Sequence, residues 1–131
     1  MQHEPLLILS VDDDPCVSRV VQLKLQQAGY EVVKACTAEE AFIKIQELRP
    51  DVIITDVKMP GMSGIELCKL CENSCKHDHL IIVLTSQLDE DSREWVESSP
   101  RRLFISKPFS PRKILETIEL YRQGRLNACI A

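Results

Sequence analysis

The sequence predicts an α/β fold: one sheet of five parallel strands, doubly wound by five helices as (βα)5. Three observations carry this. Five short runs rich in apolar residues alternate with stretches whose apolar residues recur at helical spacing. Most of the helical stretches open on a capping residue and stop near Gly or Pro. Three of the runs end on a charged residue, Asp12, Asp56 or Lys107, where a buried strand would emerge from a sheet. A repeated β-α order requires parallel strands joined by right-handed helical crossovers. Layers of helix on both faces then bury the sheet most economically.

The first strand is predicted over Leu6–Val11, almost wholly apolar, as suits burial on both faces. The first helix follows over Pro15–Ala28, with Asp14 as N-cap, Pro15 at the first helical position and Gly29 as the stop. Its apolar stripe is Val17, Val20, Val21, Leu25 and Ala28. A second strand, Glu31–Cys36, is mixed in character and fits an edge. Thr37 caps a helix over Ala38–Leu48, with Glu40 placed to complete a capping box and Arg49-Pro50 ending it. Val52–Thr55 is the third strand. Ser63 caps a helix over Gly64–Asn73. Leu80–Thr85 is the fourth strand, and Asp89 caps a helix over Glu90–Ser98, with Pro100 beyond it. Arg102–Ser106 is the fifth strand, and Ser110 caps a last helix over Pro111–Arg122, with Gly124 past its end. Residues 1–124 form one domain, and 125–131 is a tail without a clear element.

A chain of 131 residues can bury a core without staples. Its net charge is −4 and its 16 basic residues are scattered, so no basic stripe points to direct nucleic-acid binding. No apolar run approaches the roughly 20 residues that cross a bilayer, and Met1-Gln-His-Glu-Pro lacks the positive start of a signal peptide. A cytoplasmic protein without membrane contact is expected. Six cysteines without a secretory signal read mostly as small core residues in a reducing compartment.

The charged strand ends hold the chemistry. Asp12, Asp13 and Asp14 follow the first strand and Asp56 the third. Carboxylates crowded together need a cation to offset their repulsion, and hard oxygen ligands suit Mg²⁺. Lys107 adds a counter-charge for a phosphate. The set reads as a site for Mg²⁺ and a phosphoryl group.

Taken in order, Val11-Asp-Asp-Asp-Pro15, then Thr55-Asp-Val-Lys-Met-Pro-Gly-Met-Ser-Gly64, then Leu84-Thr-Ser86, then Lys107-Pro-Phe109 resemble the receiver domain of bacterial two-component response regulators. The resemblance spans about Leu6 to Arg122. It implies a flavodoxin-like strand order of 2-1-3-4-5 and a phosphorylation switch that acts on no separate substrate. Asp56 would accept the phosphoryl group. Asp13 would contact Mg²⁺ directly, Asp12 largely through water, and the backbone carbonyl of Lys58 would complete the protein ligands. Thr85 would hydrogen-bond the phosphoryl group, Lys107 would pair with it, and Phe104 would be the switch aromatic that moves with Thr85. The partners implied are a sensor histidine kinase or phosphotransfer protein and an output domain or protein. A homodimer through helix four, strand five and helix five is a further implied mode.

Plainer roles stand beside these. Asp14 is read as a helix cap, Thr85 also suits a strand as a β-branched residue, and Phe104 also suits a core. Trp95 on helix four is either core or an exposed contact. Cys68, Cys71, Cys75, His77 and His79 have residue types and spacing that can hold zinc, but Cys68 and Cys71 fall on one helical face beside Leu67 and Leu70, which reads as core. Asp12-x-Asp14 also suits a phosphatase of the haloacid-dehalogenase type, although that reading puts the nucleophile at Asp12 and expects Thr or Val at Cys16. A pseudo-receiver that binds without phosphorylation is the remaining alternative. Ser99-Pro100-Arg101-Arg102 departs from the small residues usual in the family, and its arginines are expected to alter the partner face. Lys58 and Gln87, two residues beyond Asp56 and Thr85, are expected to set the lifetime of the phosphorylated state.

Overall fold

The computed structural model describes residues 6–59, 61–74, 79–86 and 89–123. Ten elements follow in strict alternation: β1 (Leu7–Val11), α1 (Pro15–Gln27), β2 (Glu31–Ala35), α2 (Ala38–Leu48), β3 (Val52–Asp56), α3 (Gly64–Ser74), β4 (Leu80–Thr85), α4 (Glu90–Glu97), β5 (Arg102–Ser106) and α5 (Pro111–Arg122). The strands form one parallel sheet in the order β2-β1-β3-β4-β5. The fold class and strand order expected from the sequence are those observed. The predicted tail, Gly124, Cys75, His77 and Gln87 lie outside the described residues.

Alternation along the strands divides the core into two layers. Leu9, Val11, Ile53, Ile81 and Val83 face α2, α3 and α4, meeting Ala41, Ile45, Leu67 and Val96. Ile8, Ile54, Ile82, Leu84, Leu103 and Ile105 face α1 and α5, meeting Val21, Leu25, Ile114 and Ile118. The three central strands are nearly continuous in burial, while β2 and β5 at the edges are mixed. Such burial of parallel strands is what the helical layers achieve.

Local signals set the helix ends. Asp14 caps α1 by accepting from the backbone N–H groups of Cys16 and Val17 at 2.9 and 3.4 Å. Gly29, at φ +95, carries the chain out of α1 in a conformation that glycine adopts freely. Ser63 and Glu66 close a reciprocal box at 3.1 Å in each direction. In α2, Thr37 Oγ1 accepts from Glu40 N at 3.1 Å, but the Glu40 carboxylate reaches Cys36 N, one residue before the cap. Arg49 ends α2 in the left-handed region at φ 49, ahead of Pro50. The α1 stripe differs from expectation: Val20 is 53 % exposed and Ala28 is exposed, while Ser18 is buried between Val17 and Val21. Leu70 is likewise on the open side of α3.

Candidate functional site

The carboxyl ends of β1, β3, β4 and β5 deliver the charged and hydroxyl residues to one place. Val11 pairs with Thr55, Asp56 with Leu84, and Thr85 with Ser106. Asp12 follows β1, Asp56 closes β3, Thr85 closes β4 and Lys107 follows β5. Parallel register alone therefore aligns side chains that are far apart in sequence. Lys107 N donates to Thr85 O at 2.9 Å, and Val57 N to Leu84 O at 3.2 Å, which pins the strand ends together.

Carboxylate oxygens of Asp12, Asp13 and Asp56 all lie within 4.8 Å of one another, the one such group of three potential metal ligands among the described residues. Asp12 and Asp56 are buried and Asp13 is exposed, so the cluster opens to solvent on one side. Lys107 Nζ lies 3.0 Å from Asp56 Oδ1. Burial pushes the Asp12 carboxyl above its ordinary value, the hydrogen bond from Asp14 N at 2.8 Å opposes the rise, and the neighbouring Asp56 adds to it. Three carboxylates around one opening, with a single lysine on one of them, form a donor set of hard oxygens that suits a divalent cation.

Thr85 is buried beside Asp56 at the end of the adjacent strand. Phe104 lies on β5 opposite Val83, half-buried, with the Arg93 guanidinium 5.4 Å from its ring centroid. Lys58 is exposed in the loop after β3. Asp14 faces the α1 N-terminus as its cap, so the structure places it apart from the metal-ligand group.

Gly64 was not assigned a role in the sequence, yet the site depends on it. A Cβ at this position would sit 2.1 Å from Asp56 O and 2.7 Å from Thr55 Oγ1. Its own N–H donates to Val57 O at 3.0 Å. The start of α3 therefore presses directly on the backbone that carries Asp56. The signal in the sequence was a glycine just after a cap, where a better helix former would otherwise be favoured.

The cysteine and histidine run does not converge among the described residues. Cys68 and Cys71 are buried in the core under α3, where burial pushes the Cys68 thiol far up. His79 precedes β4 at the opposite end of the sheet, and its Nδ1 donates to Pro50 O at 2.7 Å. Trp95 is half-buried, and Arg102 turns inward against it rather than outward to a partner face. Of the two arginines expected to alter that face, only Arg101 is exposed.

The response regulator receiver domain family matches residues 8–119. The phosphate regulon transcriptional regulatory protein PhoB of Pseudomonas aeruginosa is 34% identical over 113 residues, covering 86% of this chain and 49% of that protein. The alkaline phosphatase synthesis transcriptional regulatory protein PhoP of Bacillus subtilis is 35% identical over 107 residues, covering 82% of this chain and 44% of that protein. The chain thus spans about half the length of these transcriptional regulators. Among solved structures, the chemotaxis response regulator CheY4 of Vibrio cholerae superposes with a TM-score of 0.78 at 34% identity, covering 88% of this chain and 98% of that one. A CheY-like receiver domain protein from Methanospirillum hungatei superposes with a TM-score of 0.83 at 28% identity, covering 93% of this chain and 97% of that one.

Proposed function

This chain belongs to the response regulator receiver domain family, and from that premise we propose that it is a cytoplasmic phosphorylation switch whose phospho-acceptor is Asp56. The observation that carries the reading is the meeting of Lys107 Nζ with Asp56 Oδ1 at 3.0 Å inside a group of three carboxylates. A carboxylate nucleophile, a fixed cation and room for a divalent ion are what phosphoryl transfer to an aspartate requires.

In this reading a carboxylate oxygen of Asp56 forms a bond to phosphorus as the bond from phosphorus to a histidine nitrogen of the donor breaks. The donor is a sensor histidine kinase or a phosphotransfer protein. Lys107 holds positive charge beside the transferred oxygens and lowers the cost of their approach to a buried carboxylate. Asp12, Asp13, Asp56 and the backbone carbonyl of Lys58 would hold Mg²⁺, and three clustered carboxylates, two of them buried, fit that ion. When bound, Mg²⁺ supplies charge neutralisation for the carboxylates and for the phosphoryl oxygens. Thr85 is buried at the neighbouring strand end, where its hydroxyl can donate to the phosphoryl group. Phe104 then follows Thr85, and the change reaches an output domain or protein through α4, β5 and α5, or through a second copy docked on that face. The chain modifies and unmodifies itself and turns over no other substrate.

Incubation with acetyl phosphate and Mg²⁺, followed by intact mass, tests the reading. One phosphoryl adduct is expected on the wild type, dependent on Mg²⁺ and absent from Asp56→Asn. An adduct that survives Asp56→Asn would mean a different nucleophile. No adduct on folded wild type would favour a binding module without phosphorylation.

A further inference from the structure

The helix α4 is the most lightly anchored of the five. It spans eight residues, of which Val96 alone is buried. Its last turn holds no basic residue, so its terminal carbonyls lack a positive partner of their own. Arg102 of β5 provides one from outside the helix. Its Nη1 donates to Trp95 O and to Ser98 Oγ, each at 2.7 Å. Its guanidinium carbon lies 4.2 Å from the Trp95 ring centroid, within the range of a cation–π contact. Its Nη2 pairs with the Glu72 carboxylate on α3, and Trp95 Nε1 donates to Glu72 Oε2 at 3.4 Å. Three side chains from three elements therefore close a ring, Arg102 to Trp95 to Glu72 and back.

This ring is joined to the site by β5. Leu103 and Ile105 enter the layer under α5, so Arg102, Phe104 and Ser106 share the other face of the strand. Phe104 is held by Arg93 of α4, and Lys107, next after Ser106, reaches Asp56. Two arginine–aromatic contacts thus cross between α4 and β5 in opposite directions, Arg93 onto Phe104 and Arg102 onto Trp95.

We propose that the Arg102–Trp95–Glu72 clasp is a lock that holds α4 in the unphosphorylated arrangement, and that phosphorylation of Asp56 works against it. The inference rests on the receiver reading given above. A contact made in one of two states biases the equilibrium between them, and the coupling is reciprocal. Loosening the clasp must then favour phosphorylation, and phosphorylation must disturb the clasp.

Trp95 is the only tryptophan in the chain, so tryptophan emission comes from within the clasp. Emission is recorded in Mg²⁺ before and after acetyl phosphate, while intact mass follows the adduct. Wild type, Glu72→Gln and Arg102→Gln are compared, with folding checked by circular dichroism. The expected result is a change of emission in step with the adduct in the wild type, and adduct formation about fivefold faster in both variants. Should Arg102→Gln unfold, Glu72→Gln carries the test, since Glu72 is exposed. An adduct that forms with no change of emission overturns the lock, as does a folded Glu72→Gln that is labelled at the wild-type rate. If the wild type takes no adduct at all, the receiver reading falls and the lock falls with it, so the mass tells the two failures apart.

Discussion

Asp51 and Asp56 stand at opposite ends of β3, and their surroundings differ in kind. Asp51 Oδ2 accepts from Leu7 N at 2.9 Å, its N–H donates to Leu7 O at 2.8 Å, and its carbonyl accepts from Leu80 N at 3.0 Å. Its polar groups are used to join β1, β3 and β4 at the amino end of the sheet. Asp56 faces Asp12 and Asp13 across a small opening, and Lys107 is the one cation in an ion pair with this group among the described residues. The amino end is built for stability. The carboxyl end brings like charges together, which is a cost that a folded protein retains where it serves function.

The largest expected effects are at the carboxyl end. Lys107→Ala is expected to slow adduct formation by about a hundredfold or more, the scale at which removal of a charge-stabilising donor acts; initial rates with acetyl phosphate read this, and a loss of less than about threefold would contradict it. Gly64→Ala comes next and joins the two regions, because the added Cβ meets the Asp56 carbonyl. It is expected to cost about 2 kcal/mol or more in urea unfolding and also to slow labelling, as backbone must move. Unchanged stability would mean that the α3 start yields more easily than its contacts imply. At the amino end, Asp51→Ala is expected to cost about 1 to 2 kcal/mol by leaving Leu7 N without its acceptor, with the rate of adduct formation unaltered. A change in that rate would break the separation of the two ends.

Much of this molecule was legible because its signals are local. Apolar runs, caps and stops place all ten elements to within a residue or two, and register in a parallel sheet then brings Asp12, Asp13, Asp56, Thr85 and Lys107 together. What was missed depends on tertiary approach. Nothing adjacent to Gly64 says that β3 passes against it. Helical period marks Val20 as core, but Ser18 turns inward in its place. Arg102 read as a surface charge because its partners, Trp95 and Glu72, belong to α4 and α3, away from its own strand. The capping role of Asp14 and the burial of Cys68 and Cys71 were readable, since each follows from helix geometry.

The most direct measurement of the contrast between the two ends is the urea stability of wild type and Asp12→Asn, with and without Mg²⁺, across pH. Asp12 has a carboxyl raised above its unfolded value, mainly by burial. Such a group favours the folded state at low pH, and that advantage is lost as pH rises from the unfolded value through the raised folded one. Asp12→Asn is therefore expected to be more stable than the wild type by about 1 kcal/mol at neutral pH without Mg²⁺, with the difference vanishing in acid. Mg²⁺ is expected to stabilise the wild type and to stabilise Asp12→Asn less. A variant less stable than the wild type at neutral pH, or an equal gain from Mg²⁺ in both, would contradict a repelling carboxylate cluster held ready for a cation.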